Sequence, residues 1–135
     1  MYNQCEISDH GPGPYVTNID KDVLMNRNFR TAIWTGTHAQ MTLMCIPAGS
    51  DIGMEVHPEV DQILYIVSGR GETVMGGQKN CLDYKQCVSS GSAVFIPAGT
   101  RHNLKNTGSC PLKLFSVYAP PNHPFGTVHP CREEY

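Results

Sequence analysis

At 135 residues, 40% of them hydrophobic and 16% charged, the chain has the makeup of one folded domain that can bury a core without staples. A formal net charge of −2 gives no cationic footprint, and no Lys/Arg cluster stands beside stacking aromatics, which argues against nucleic acid as a partner. No apolar run approaches the roughly 20 residues of a bilayer crossing, and the opening Met-Tyr-Asn-Gln-Cys-Glu is no secretory signal, so a cytoplasmic protein without a membrane partner is expected.

Residues 1–22 are polar and turn-rich, with His10-Gly11-Pro12-Gly13-Pro14 at their centre, and read as an irregular N-terminal arm. Residues 21–28 could hold a short turn of helix. Short apolar runs follow at 31–34, 41–46, 52–57, 63–67, 72–75, 93–96, 102–106 and 112–118, each of strand length and bounded by Gly, Pro, Asn or Asp. Ser68-Gly69-Arg70-Gly71 reads as a tight turn where strands reverse. Residues 23–118 therefore form the expected β-domain, an antiparallel barrel or sandwich, and 119–135 a second irregular arm. Ile46-Pro47-Ala48-Gly49 and Ile96-Pro97-Ala98-Gly99 echo one another and suggest two similar hairpins set opposite each other.

The six cysteines, Cys5, Cys45, Cys81, Cys87, Cys110 and Cys131, contain no Cys-x-x-Cys pair and read as reduced structural thiols. The chemistry lies elsewhere. Residues two apart on an extended segment face the same way, so Glu55 and His57 present a carboxylate and an imidazole to one side. Gln62 is in phase with Leu64 and Ile66, and His102 with Leu104. Four polar groups aimed into an apolar interior are costly unless hydrogen-bonded or metal-bound, and one divalent ion would satisfy them together. From spacing alone, ordinary hydrogen bonding of the histidines is an equal alternative. Asp61 is a rival ligand to Gln62, because it sits in a turn where strand parity fails. Mixed N/O donors suit Mn(II), Fe(II), Ni(II) or Zn(II) better than Ca(II) or Cu(I). Tyr65, Tyr84 and Tyr118 read as packing residues, Arg101 and Lys105 as solvated, and His10 and His38 as surface. His123 and His129 could close over a barrel mouth or pack, with packing favoured.

These residues resemble the cupin superfamily. Gly91, Pro97, Gly99, His102 and Asn106 match its second motif, Gly-x5-Pro-x-Gly-x2-His-x3-Asn, in full. Gly49, His57 and Gly69 match the first motif, with Glu55 in place of its first histidine and Gln62 in place of its glutamate. The resemblance implies an all-β double-stranded β-helix, or jelly-roll, barrel, with positions 55, 57, 62 and 102 as metal ligands. The chain also looks like the small single-domain cupins labelled mannose-6-phosphate isomerase-like, and such proteins are commonly homodimers.

Three functions compete. A metal-dependent enzyme would act on a small polar metabolite such as a sugar or sugar phosphate, with isomerase-like chemistry. The two-histidine, one-carboxylate set is also similar to that of non-haem iron dioxygenases. The third is a non-catalytic module that binds a metabolite or metal.

Overall fold

A computed structural model describes residues 7–76 and 82–132. The first regular element is a helix, α1 (Ile19–Met25), two residues earlier than the sequence suggests. Asn18 sets the start, because its side chain accepts from the Lys21 N–H, and Asn26 ends the helix in an extended conformation. Nine strands follow: β1 (Arg30–Thr35), β2 (Gln40–Ile46), β3 (Asp61–Ser68), β4 (Arg70–Gly76), β5 (Tyr84–Ser89), β6 (Ala93–Ile96), β7 (Arg101–Asn106), β8 (Leu112–Ala119) and β9 (Val128–His129). They make a six-stranded sheet, ordered β6-β3-β8-β2-β1-β9, and a three-stranded sheet, β5-β4-β7. All pairings are antiparallel, as in a double-stranded β-helix.

Two expected elements differ. Residues 52–57 do not form a strand but meet β7 through two isolated bridges, Asp51 to Lys105 and Glu55 to His102. The interruption falls at Gly53, whose φ of 99° leaves the extended region. Residues 68–71 are not a hairpin turn either. They carry the chain from the large sheet to the small one, so β3 and β4 diverge instead of pairing. Strand β5 leaves no alternating pattern in the sequence because Val88 is its one buried residue. Strand β9 lies within the segment read as an irregular arm, and pairs with the start of β1.

Alternation along the strands sorts the side chains into two cores. Outside the large sheet, Val23 of α1 packs on Ile33 and Leu43, with Ile7, Ile19 and Phe115 at the margin. Inside the barrel, Met44, Ile46, Ile66, Leu104, Leu112 and Leu114 form the main cluster. Cross-strand register shows that this interior changes character along its length. Ile46 lies opposite Leu112 and Met44 opposite Leu114, whereas Thr42 lies opposite Ser116 and Gln40 opposite Tyr118, which also faces Gln62. One end of the interior is apolar and the other polar.

The two echoing turns are built alike. Ser50 N–H donates to the Pro47 carbonyl and Thr100 N–H to the Pro97 carbonyl, each at 3.1 Å. Gly99, at φ 83°, takes the left-handed position such a turn requires. Among the cysteines, Cys45, Cys87, Cys110 and Cys131 are free thiols, and Cys5 and Cys81 fall outside the described residues. No helix among the described residues is long and apolar enough to cross a membrane.

Asn106, the last residue of the 91–106 stretch, is a structural linchpin. It is 5% exposed, donates to the Ile46 and Cys110 carbonyls and accepts from Gly108 N–H, each at 2.9 Å. Asn106→Ala strands three backbone groups, and is expected to cost about 2–3 kcal/mol in urea unfolding. An unchanged unfolding midpoint would contradict this role.

Candidate metal centre

Backbone pairing assembles the site. Glu55 N–H donates to the His102 carbonyl and His102 N–H to the Glu55 carbonyl, both at 2.9 Å. This locks the 51–57 segment against β7. His57 is fixed from the other side, since its carbonyl accepts from Gly99 N–H at 2.8 Å. Asp61 Oδ1 accepts from Ala98 N–H at 2.9 Å, tying the start of β3 to the same Pro97-Ala98-Gly99 turn. Asn103, next to His102, holds the segment further upstream: its Oδ1 accepts from Gly53 N–H and its Nδ2 donates to Asp51 Oδ2, each at 3.0 Å.

The ligand atoms of Glu55, His57 and His102 all lie within 4.8 Å of one another. Glu55 Oε1 is 3.3 Å from His57 Nε2 and 3.7 Å from His102 Nε2. The second distance is too long for a hydrogen bond. His102 Nδ1 lies 2.9 Å from the Thr100 carbonyl, which can only accept, so Nδ1 carries the proton and Nε2 presents its lone pair. That Nε2 is buried with no hydrogen-bond partner. Gln62 donates through Nε2 to Ser116 Oγ at 2.9 Å, and its Oε1 is likewise buried and unpartnered.

Burial alone would raise the Glu55 carboxyl. The hydrogen bond from His57 and the charge of Arg30 outweigh it and hold it below the usual carboxylate range, so a carboxylate is available at any ordinary pH. Each unpaired buried acceptor costs about 1–3 kcal/mol, a large sum against a domain stability of about 5–15 kcal/mol. A divalent cation fits this donor set: the Glu55 carboxylate, the His102 Nε2 lone pair and the Gln62 amide oxygen are acceptors, and His57 joins them once its Nε2 gives up the proton it shares with Glu55. A backbone carbonyl already orients His102, as is usual for a ligating histidine.

Asp61, the rival to Gln62, stands outside the cluster: it is exposed at the start of β3, and its Oδ1 accepts from Ala98 N–H. The C-terminal arm folds back over the polar end of the interior. Gln40, fully buried, holds it by accepting from Asn122 and His123 N–H and donating to the His123 carbonyl. His123 Nε2 lies 3.3 Å from the Tyr118 hydroxyl, and the Tyr118 ring stands edge-on to His57 at 6.0 Å. Burial raises the Tyr118 hydroxyl above its ordinary value and lowers His123 to about 4. Tyr118 is thus more than the packing residue its sequence suggests. Arg30 is a functional residue that the motifs do not mark. Its parity with Ala32, ahead of an apolar run, was the signal that could have marked it as inward-facing.

Comparison with known proteins places these features in context. The family model described as Cupin domain matches residues 42–118. The chain is 53% identical over 128 residues to YrkC of Bacillus subtilis, an uncharacterized protein, covering 95% of this chain and 69% of that one. The crystal structure of BH2720 from Bacillus halodurans superimposes with a TM-score of 0.92 at 52% identity, over 93% of this chain and 95% of that one. TT1209 from Thermus thermophilus shares the fold at 21% identity, with a TM-score of 0.66 over 78% and 96% of the two chains.

The low value of His123 makes a pH prediction. The unfolded chain takes up a proton there below about pH 6.5, whereas the folded chain does so only near pH 4. Its contribution to stability is therefore complete above pH 6.5 and is lost as pH falls toward 4. Between pH 7 and 5 the protein should lose of order 1 kcal/mol more stability than His123→Gln, after discount for partial exposure. Parallel stability–pH curves for the two proteins would contradict this.

Proposed function

The chain belongs to the cupin domain family, and from that premise we propose that it is a metal-dependent enzyme acting on a small polar metabolite through isomerase-like chemistry. The observation that carries the reading is the convergence of Glu55, His57 and His102, with two buried acceptors left open at His102 Nε2 and Gln62 Oε1. Glu55, His57 and His102 hold the ion, and Gln62 adds a neutral oxygen. When bound, a Mn(II), Fe(II), Ni(II) or Zn(II) ion would polarise a substrate carbonyl or hydroxyl.

The protein's own groups supply the proton chemistry. Glu59 is exposed in a turn and Asp61 is engaged with Ala98. Tyr118 and His123 are better placed, with the phenol hydroxyl 3.3 Å from His123 Nε2 beside His57. The Tyr118 hydroxyl and His123 Nε2 can hold a proton between them and pass it along that contact. Substrate of the sugar or sugar-phosphate class fits this pairing of a Lewis acid with an acid–base relay. A homodimer is the assembly we propose, with one site in each barrel.

Elemental analysis of protein purified without chelator or affinity metal is expected to find about one transition-metal ion per chain. Glu55→Ala and His102→Ala should each lose it while the barrel stays folded by circular dichroism. Metal retained in either variant would mean the ligand set is wrong. With the metal-loaded protein, an anaerobic panel of sugars and sugar phosphates should reveal aldose–ketose exchange. No turnover across the panel removes the isomerase reading, and oxygen uptake with Fe(II) alone would replace it with the dioxygenase one.

A further inference from the structure

We propose that Arg30 anchors a small oxyanion-bearing ligand, a carboxylate or a phosphate, inside the polar half of the barrel. The inference deepens the functional reading above by naming the charge of the ligand, and rests on that reading for how tightly the ligand binds.

Arg30 begins β1, opposite Met44 on one side and His129 on the other, and is 6% exposed. A guanidinium removed from water costs several kcal/mol unless a counter-charge meets it. The contacts present do not supply one. Nη1 donates to His129 Nδ1 at 3.0 Å, which brings a dipole but no negative charge, and the guanidinium carbon lies 5.3 Å from the centre of the Phe29 ring. Nε is buried with no partner. The ion pairs among the described residues join Glu55 to its two histidines and Asp51 to Arg132, and none includes Arg30.

With Nη1 held by His129, the Nε–Nη2 edge is the one left to meet an acceptor, and that edge takes a carboxylate or phosphate side-on through two parallel hydrogen bonds. The position is also right. His129, which Nη1 meets at 3.0 Å, stands with its ring 6.1 Å from that of His123, which lies 5.2 Å from Tyr118, itself 6.0 Å from His57, so a continuous line of polar rings joins the guanidinium to the metal centre. Adding a divalent ion to the Glu55 carboxylate and the Arg30 cation leaves a net charge of about +2 in a low-dielectric interior. An anionic ligand held by Arg30 in the same interior would relieve that excess, whereas a neutral one would not.

The test is calorimetric titration of the full chain, metal-free and Mn(II)-supplemented, with lactate, inorganic phosphate and propane-1,2-diol. The diol keeps the carbon skeleton of lactate without its charge. Wild type is expected to bind at least one oxyanion and not the diol, more tightly with Mn(II), and the lactate and phosphate arms identify which oxyanion. Arg30→Met should weaken that binding at least tenfold while metal content and fold are unchanged. Arg30→Lys keeps the charge but loses the bidentate edge, so it should give an intermediate affinity and serve as the readout if the methionine variant fails to fold. Equal oxyanion affinity in wild type and either variant overturns the proposal, as does a wild type that binds neither oxyanion in either state. Arg30-dependent binding by a protein that takes up no metal would sink the functional reading and leave this one standing. Metal uptake with oxyanion binding indifferent to Arg30 would do the reverse.

Discussion

The paired backbone hydrogen bonds between Glu55 and His102 are the contact on which the rest of the architecture turns. Glu55 and His57 belong to a segment that Gly53 keeps from being a regular strand, and a segment of that kind has little intrinsic claim to one position. The two 2.9 Å bonds to His102 give it one, and fix the carboxylate and both imidazoles on the same side of the small sheet. The Pro97-Ala98-Gly99 turn secures the other end through the His57 carbonyl and the Asp61 carboxylate. The centre is therefore a product of backbone register first and of side-chain chemistry second. Side chains held from several directions in this way meet an incoming ion without reorganising.

The second constraint is the polarity gradient inside the barrel. Met44, Leu114, Ile46 and Leu112 fill one end with a packed apolar cluster that supplies the stability. The other end is lined by Gln40, Thr42, Gln62, Ser116 and Tyr118, and the guanidinium of Arg30 reaches His129, whose ring stands 6.1 Å from His123 over that end. Such an arrangement is expensive for stability alone, because each polar group must find a partner away from water. Several do so through the C-terminal arm, which Gln40 draws over the polar end. The groups left open among the described residues, Thr42 Oγ1, His102 Nε2, Gln62 Oε1 and Arg30 Nε, include two acceptors suited to a cation and one donor suited to an anion.

Much of this was legible in the sequence where chemistry and spacing coincide. The stretch from Gly91 to Asn106 carries a left-handed glycine, a histidine in phase with Leu104 and a terminal asparagine. Each of these has a job that few other residues can do. Glu55 and His57 were paired by parity alone, and the structure brings both to His102. Gln62 was placed inward by its phase with Leu64 and Ile66, and is buried. What was not legible depended on long-range context. Residues 68–71 look like a hairpin turn, and nothing local says that the strands on either side belong to different sheets. Strand β5 has almost no buried face to give it a pattern. Asp61 clamps a turn 37 residues away, which leaves no mark on neighbouring residues. The parity of Arg30 with Ala32 hints that it faces inward, but its partner His129 lies 99 residues further along the chain.

The metal centre requires that Glu55, His57 and His102 share one cation. Anomalous diffraction from crystals of metal-replete protein, collected on either side of the metal's absorption edge, addresses that most directly. The expected result is a single peak about 2.0–2.3 Å from a Glu55 carboxylate oxygen, a His57 ring nitrogen and His102 Nε2. A map without a peak there, with the His102 ring bonded instead to protein or water alone, would contradict it.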